Sequence, residues 1–140
     1  MPAPRPLGLR VLVIDAYDER EMYAEALRAY GFEVTTAATA LEGLETARRV
    51  RHDVIVQGLA FADLSGLELA ARLKAGRETT QTPIIAISGF TDDAHVEAAR
   101  AAGCRAVLIK PCDPRVLAAE LRRVLAPPAT TPSRRNRKRA

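Results

Sequence analysis

The chain has 140 residues, enough for one domain with an adequate core. Apolar residues make up 48% and aromatics only 4%, so the interior must be built from Ala, Val, Leu and Ile. The formal net charge is +4, but Arg134, Arg135, Arg137, Lys138 and Arg139 alone supply five positive charges and leave a net −1 on the rest, which excludes a strongly basic groove on the body of the protein.

Residues 1–8 carry three prolines and read as a disordered terminus. Val11 to Ile14 is an apolar β-branched run, a first buried strand, and it stops at Asp15. It is too short for a membrane span or a secretory signal, and no other run is long enough to span, so no membrane partner is expected and the location is the cytoplasm. From Asp18 to Tyr30, Tyr23, Leu27 and Tyr30 recur at i, i+4 and i+7, which predicts a helix closed by Gly31. Phe32 to Thr36 is a shorter strand. Thr39 then caps a helix with Glu42 three residues on, and Leu41, Leu44, Ala47 and Val50 are expected to face the sheet.

Val54 to Gln57 is a strand ended by Gly58, apolar enough to be buried on both faces. The loop Gly58 to Leu64 leads to Ser65, again with Glu68 three residues later, and Leu67, Leu69, Ala70 and Leu73 make the next helix amphipathic. Ile84 to Ser88 is a fourth strand. Thr91 or Asp92 caps a helix that ends at Gly103. Ala106 to Ile109 is a fifth strand, followed by Lys110 and Pro111. Asp113 and Pro114 start a last helix by the N-cap and N1 preferences, with Leu117, Leu121 and Leu125 down one side. Pro127 and Pro128 stop it, and residues 127–140 read as a disordered basic tail. Cys104 and Cys112 have neither metal-ligand nor redox spacing and read as reduced structural thiols; His52 and His95 lie far apart in the sequence.

Five β-α repeats demand a mostly parallel sheet with helices on both faces. The expected fold is a flavodoxin-like (βα)5 doubly wound sheet in the order 2-1-3-4-5, one domain over residues 9–126. Ligands of such sheets bind beyond the carboxyl ends of the central strands. The residues there are Asp15 and Ala16, Gln57 and Gly58, Ser88 and Gly89, and Lys110 and Pro111.

Those strand ends carry a family resemblance. Val-Leu-Val-Ile-Asp at 11–15, His-Asp-Val-Ile-Val at 52–56, Gly-Leu-Glu-Leu-Ala at 66–70, Pro-Ile-Ile-Ala-Ile-Ser at 83–88 and Ala-Val-Leu-Ile-Lys-Pro at 106–111 resemble the receiver domain of two-component response regulators over residues 9–125. The resemblance implies phosphoryl transfer from a histidine kinase to an Asp ending the third strand. It implies Mg²⁺ held by that Asp, by an acid pair ending the first strand and by a backbone carbonyl. It further implies a Ser or Thr and a Lys that contact the phosphoryl group, and an aromatic switch residue on the fifth strand.

Carried over by position, Asp15 matches the first acid, Ser88 the hydroxyl, Lys110 the lysine and Pro111 the proline after it. The second acid falls on Ala16, the phosphoacceptor on Gly58 and the switch residue on Val107. The segment between Asp15 and Arg20 is one residue short of the common pattern. Gly58 offers no oxygen to phosphorylate. Asp15 against Lys110 sums to zero charge, a poor site for a cation that demands several hard oxygens, so Mg²⁺ binding is expected to be lost or weak and no other cofactor is expected. Asp18 is the side chain that could swing in as a replacement metal ligand, and Asp18 and Asp63 are the first candidates for an alternative acceptor. Asp15 and Lys110 are expected to form a partly buried ion pair.

The reading is a pseudo-receiver: a stand-alone, non-enzymatic signalling protein of two-component or phosphorelay type that acts through protein–protein contacts. The expected face is the fourth helix, fifth strand and fifth helix, Asp92 to Leu125, toward a histidine kinase, another regulator or a second copy. Ala98, Ala99, Ala101 and Ala102 there either admit a partner helix or pack the sheet. After Leu125 no further strand or helix with apolar spacing is expected, so no output domain is expected there. The alternative is nucleic-acid or acidic-surface binding through the basic tail, which needs only phosphate contacts. A flavin-binding reading is disfavoured because no glycine-rich loop follows the first strand.

Overall fold

A computed structural model describes residues 8–90 and 92–126. The two terminal expectations, the Thr91 cap and the basic tail lie outside those residues. Five strands and five helices alternate: β1 (Arg10–Ile14), α1 (Glu19–Ala29), β2 (Glu33–Ala37), α2 (Ala40–Arg49), β3 (Val54–Gly58), α3 (Gly66–Ala75), β4 (Ile84–Ser88), α4 (Asp93–Ala101), β5 (Ala106–Ile109) and α5 (Pro114–Leu125). All four strand pairings are parallel and the order is β2-β1-β3-β4-β5. This is the doubly wound arrangement expected of five β-α repeats.

Alternation along the central strands sends side chains to two separate layers. Val11, Val13, Val54, Val56, Ile85 and Ile87 pack with Tyr23 and Leu27 of α1 and Leu117 and Leu121 of α5. Leu12, Ile14, Ile55 and Ile84 pack on the other face with Leu44 of α2, Leu69 of α3 and Ala99 of α4. Residues 54–58 and 84–88 are buried throughout, as a strand covered on both faces requires.

Helix starts follow the sequence closely. Thr39 Oγ1 accepts from Glu42 N at 3.1 Å and Ser65 Oγ from Glu68 N at 3.1 Å. Asp92 caps α4 through His95 N at 2.9 Å, and Asp113 caps α5 through Arg115 N at 2.8 Å.

Helix faces differ from expectation in three places. In α2 the buried residues are Ala40, Gly43, Leu44 and Ala47, while Leu41 and Val50 are exposed. The cause is Gly43: a Cβ there would stand 2.5 Å from Ile14 Cδ1, so the helix backbone lies against the sheet and turns Leu41 outward. In α3 the apolar face starts at Gly66 rather than Leu67, which is exposed. Tyr30 is also exposed, at the end of α1, with the Arg122 guanidinium 5.2 Å from its ring centroid. Ala99 is fully buried and packs the sheet, whereas Ala101 is exposed and Ala98 and Ala102 are half-buried.

Candidate functional site

The chain reverses direction across the sheet between β1 and β3, so the crevice beyond their carboxyl ends is where a ligand would enter. Parallel register sets Ile14 beside Gln57, Gly58 beside Ile87 and Ser88 beside Ile109. Asp15, Gly58 and Lys110 are thereby gathered around one cleft of about 270 Å³.

Asp15 is 3% exposed. Its Oδ1 accepts from Tyr17 N at 2.9 Å, and its Oδ2 faces the Lys110 ammonium at 3.6 Å. Lys110 reaches further, to Glu19 Oε1 at 3.0 Å, and lies 5.1 Å from the Tyr17 ring centroid. Glu19, one residue past Asp18, is therefore the second carboxylate of the lysine. The expected neutral pair is a three-membered group with one excess negative charge. Arg20 donates to the carbonyl of Asp15 at 2.8 Å, where it fastens the shortened first loop and offsets that charge. Asp18 is exposed, starts α1 without a side-chain cap bond and does not line the cleft.

Gly58 presents bare backbone to Asp15: the nearest atoms to a Cβ built there would be those of the Asp15 carboxylate, at 3.6–3.7 Å, an ordinary contact. Ala16 is exposed and carries no oxygen on its side chain. Val107 is half-buried and packs with the α2–α3–α4 layer. Ser88 holds its place at the end of β4, but its hydroxyl closes a local turn. It accepts from Phe90 N at 2.9 Å and donates to Phe90 O at 3.2 Å, and Ser88 does not line the cleft. Lys110 N donates to Ser88 O at 2.7 Å, and the Lys110–Pro111 peptide is cis.

The loop after β3 is held without charge at the cleft. Gln57 is fully buried; its Nε2 donates to the carbonyls of Gly58 at 3.0 Å and Gly66 at 2.9 Å. Asp63 accepts from the amides of Ala40 and Leu41 at the start of α2, and these bonds hold its carboxyl below the usual range. It is a tether between two loops, in a position unlike that of an alternative acceptor. Asp53 lies at the opposite end of the sheet and accepts from Arg10 N at 2.7 Å.

Cys104 and Cys112 are free and buried, and burial pushes both thiols up, Cys104 to about 11. His52 is buried and burial lowers its pKa; His95 is exposed, bonded to Asp92 and stacked on Phe90 with ring centroids 4.1 Å apart.

A five-stranded parallel sheet with a carboxylate–lysine cleft at the carboxyl ends of β1, β3 and β5 defines the receiver class of signalling proteins. Residues 11–122 match the response regulator receiver domain, and the chain belongs to that family. It is 31% identical over 101 residues to the polar-differentiation response regulator DivK of Brucella anthropi, a match that covers 72% of this chain and 82% of DivK. The chemotaxis response regulator CheY4 of Vibrio cholerae is 30% identical with a TM-score of 0.79, covering 84% of this chain and 98% of CheY4. The receiver domain of a sensor histidine kinase from Pseudomonas aeruginosa, a structure with magnesium coordinated in its cleft, has the same fold, with a TM-score of 0.80 at 24% identity over 86% of this chain and 99% of that domain. Receiver domains are signalling proteins of two-component systems. Among the described residues no helix is long and apolar enough to cross a membrane.

Proposed function

We propose that this receiver signals without accepting a phosphoryl group. The observation that carries the reading is Gly58, whose backbone occupies the acceptor position and faces Asp15 with no oxygen to attack phosphorus. The donor set points the same way for magnesium. Mg²⁺ wants near-octahedral oxygen and surrenders its waters reluctantly. Asp15 and Glu19 both face the Lys110 ammonium, and Ala16 and Gly58 add no side-chain oxygen. These residues do not fit the ion. The Ser88 hydroxyl, spent on Phe90, and the aliphatic Val107 accord with a domain that no longer couples phosphate to a switch.

Output then runs through a protein partner. The face best suited is α4, β5 and α5. β5 is an edge strand with Val107, Leu108 and Ile109 only half-buried, and α4 has Ala99 as its one buried residue among those described. A second copy of this chain is the partner to test first, by mass in solution across a wide concentration range.

The deciding experiment is intact mass after incubation with a small-molecule phosphodonor and Mg²⁺. The natural protein is expected to show no adduct. The double variant Ala16→Asp, Gly58→Asp is expected to gain one, because the space beside Gly58 admits a side chain at ordinary contact distance. A hydroxylamine-sensitive adduct on the natural protein would overturn the reading.

A further inference from the structure

Charge is sorted between the two ends of the sheet. In a parallel β-α repeat every helix runs back against its strands, so all five helices start at the cleft end and finish at the other. First turns at the cleft end carry acids: Glu19 and Glu21 in α1, Glu42 in α2, Glu68 in α3 and Asp93 in α4. Last turns at the opposite end carry bases in every helix, from Arg28 in α1 to Arg122 and Arg123 in α5. The near-neutral sum on the body was expected to exclude a strongly basic surface, and this placement overturns that expectation, because a sum does not record where the charges lie. Bases in a last turn complement the helix dipole. Arg51, Arg77 and Arg105 lie beyond those turns, in loops at the same end, and all three are exposed. With Arg48, Arg100 and Arg122 they make six exposed arginines that have no acid within 4.0 Å among the described residues. The acids in the strand starts and loops at this end are Glu33, Asp53 and Glu78; Arg10 pairs with Glu33, and the Arg10 amide holds Asp53.

We propose that this basic end, together with the run Arg134 to Arg139, binds the phosphate backbone of a nucleic-acid duplex. α5 ends at Leu125 on this same end, and the stretch from Ala126 to Arg134 reaches at most about 28 Å, so the five charges of the run can act beside those of the fold. Helices packed side by side lie roughly 10 Å apart, so the ends of α2, α3 and α4 span about 20 Å, along which a DNA duplex carries about twelve phosphate charges. Arg suits that backbone because its planar fork bonds phosphate oxygens in pairs. A single strand is held instead by bases stacked on aromatic rings. At this end the exposed aromatic among the described residues is Tyr30, and the Arg122 guanidinium already lies 5.2 Å from its ring centroid. An anionic bilayer is best gripped by apolar residues sunk below the headgroups, and residues 127–140 contain no aromatic or large aliphatic side chain. Phosphate contacts carry no sequence information, so binding is independent of base sequence. The acidic end is repelled by the same phosphates, which leaves the cleft facing away from the duplex and open to a protein. Binding at the basic end is independent of whether the cleft accepts a phosphoryl group.

The test is a fluorescence-anisotropy titration of the full chain onto a labelled DNA duplex of about 20 base pairs, at salt from about 50 to about 200 mM. Saturable binding is expected in the micromolar range at the lower salt. The logarithm of affinity should fall against the logarithm of salt with a slope of about −7, for about eight phosphate contacts shared by the fold and the tail. Arg48→Gln, Arg51→Gln, Arg77→Gln and Arg105→Gln combined remove charge from the fold alone. This variant is expected to bring the slope to about −4 and to weaken binding at least about tenfold. Its four side chains are exposed and without acid partners, so the fold itself is not at stake. Gln at positions 134, 135, 137, 138 and 139 should reduce the slope to a similar degree. Arg115→Gln, exposed at the cleft end, is expected to leave both slope and affinity unchanged. Absence of saturation at the lower salt, a slope unmoved by the four substitutions in the fold, tighter binding of a single strand of the same length, or tighter binding of vesicles of mixed phosphatidylserine and phosphatidylcholine would each overturn the proposal.

Discussion

The two loops that flank the cleft are held by opposite means. The loop after β1 depends on charge: Arg20 grips the Asp15 carbonyl, and Lys110 lies between Asp15 and Glu19. The loop after β3 depends at the cleft on neutral hydrogen bonds and close backbone contact: Gln57 donates to Gly58 and Gly66, and Gly66 N donates to Leu59 O at 3.1 Å, while its one charged tether, Asp63, holds the amides of Ala40 and Leu41 instead of facing the cleft. Only one side of the crevice is electrostatic. A domain in which both sides supplied acids could hold a cation between them; here the β3 side is organised without one. The difference teaches that losing a charged function need not loosen a loop, because Gln57 and Gly66 fix this one through groups that never face the ligand space.

The sharpest way to break the comparison is Gly66→Ala. The added Cβ would stand 2.3 Å from Leu59 Cα and 2.7 Å from Gly58 O, and both are backbone atoms that cannot swing aside. Overpacking of this kind costs about 3 kcal/mol when the chain must move. Urea unfolding should show a loss of that order. A loss under about 0.5 kcal/mol, the size of an ordinary surface change, would mean that the β3 loop is pliable after all.

A smaller effect probes the charged side. Lys110→Met leaves the buried Asp15 without its cation, and removal of one partner of a buried pair is costly because the other charge remains unpaired. At 21% exposure of the lysine side chain, a loss of about 2 kcal/mol is expected. Adding Asp15→Asn to Lys110→Met should recover part of it. Strict additivity of the two substitutions would show that no coupling holds the β1 loop and would remove the contrast between the loops.

Much of this was legible in the chain. Strand runs such as Val11–Ile14 and Ile84–Ser88 announce themselves because doubly covered strands admit few polar residues, and the helix starts follow from Thr39, Ser65, Asp92 and Asp113. Gly58 and Ala16 were visible too, since register in a parallel sheet fixes which residues end the strands. The ends of long side chains were not. Glu19 is the second partner of Lys110, and the one-residue shortening before Arg20 was the available signal. Gln57 was passed over because a polar residue at a strand end looks idle until the loop carbonyls it holds are in place. The Ser88 hydroxyl rotates freely about its bond, so its capture by Phe90 could not be read from spacing. The α2 face was misplaced by one residue because a buried glycine carries no apolar signal.

The smallest expected effect uses the opposite end of the sheet as a reference for both loops. His52 is 4% exposed, and its Nδ1 has no partner among the described residues. Burial lowers its pKa below 6.5; Arg10 nearby acts in the same direction, while the Val50 carbonyl and Asp53 pull the other way. The unfolded chain therefore binds a proton more readily than the folded one. Stability from this group is fully present above the unfolded value and falls as the pH drops through 6.5 toward the lowered folded value. His52→Phe keeps a ring in place and removes the titration. Melting temperatures from about pH 7.5 down to about pH 5.5 should decline less for the variant than for the natural protein, and the difference between the two curves isolates this residue from His95 and the carboxylates. Parallel curves would mean that His52 keeps its ordinary affinity for protons.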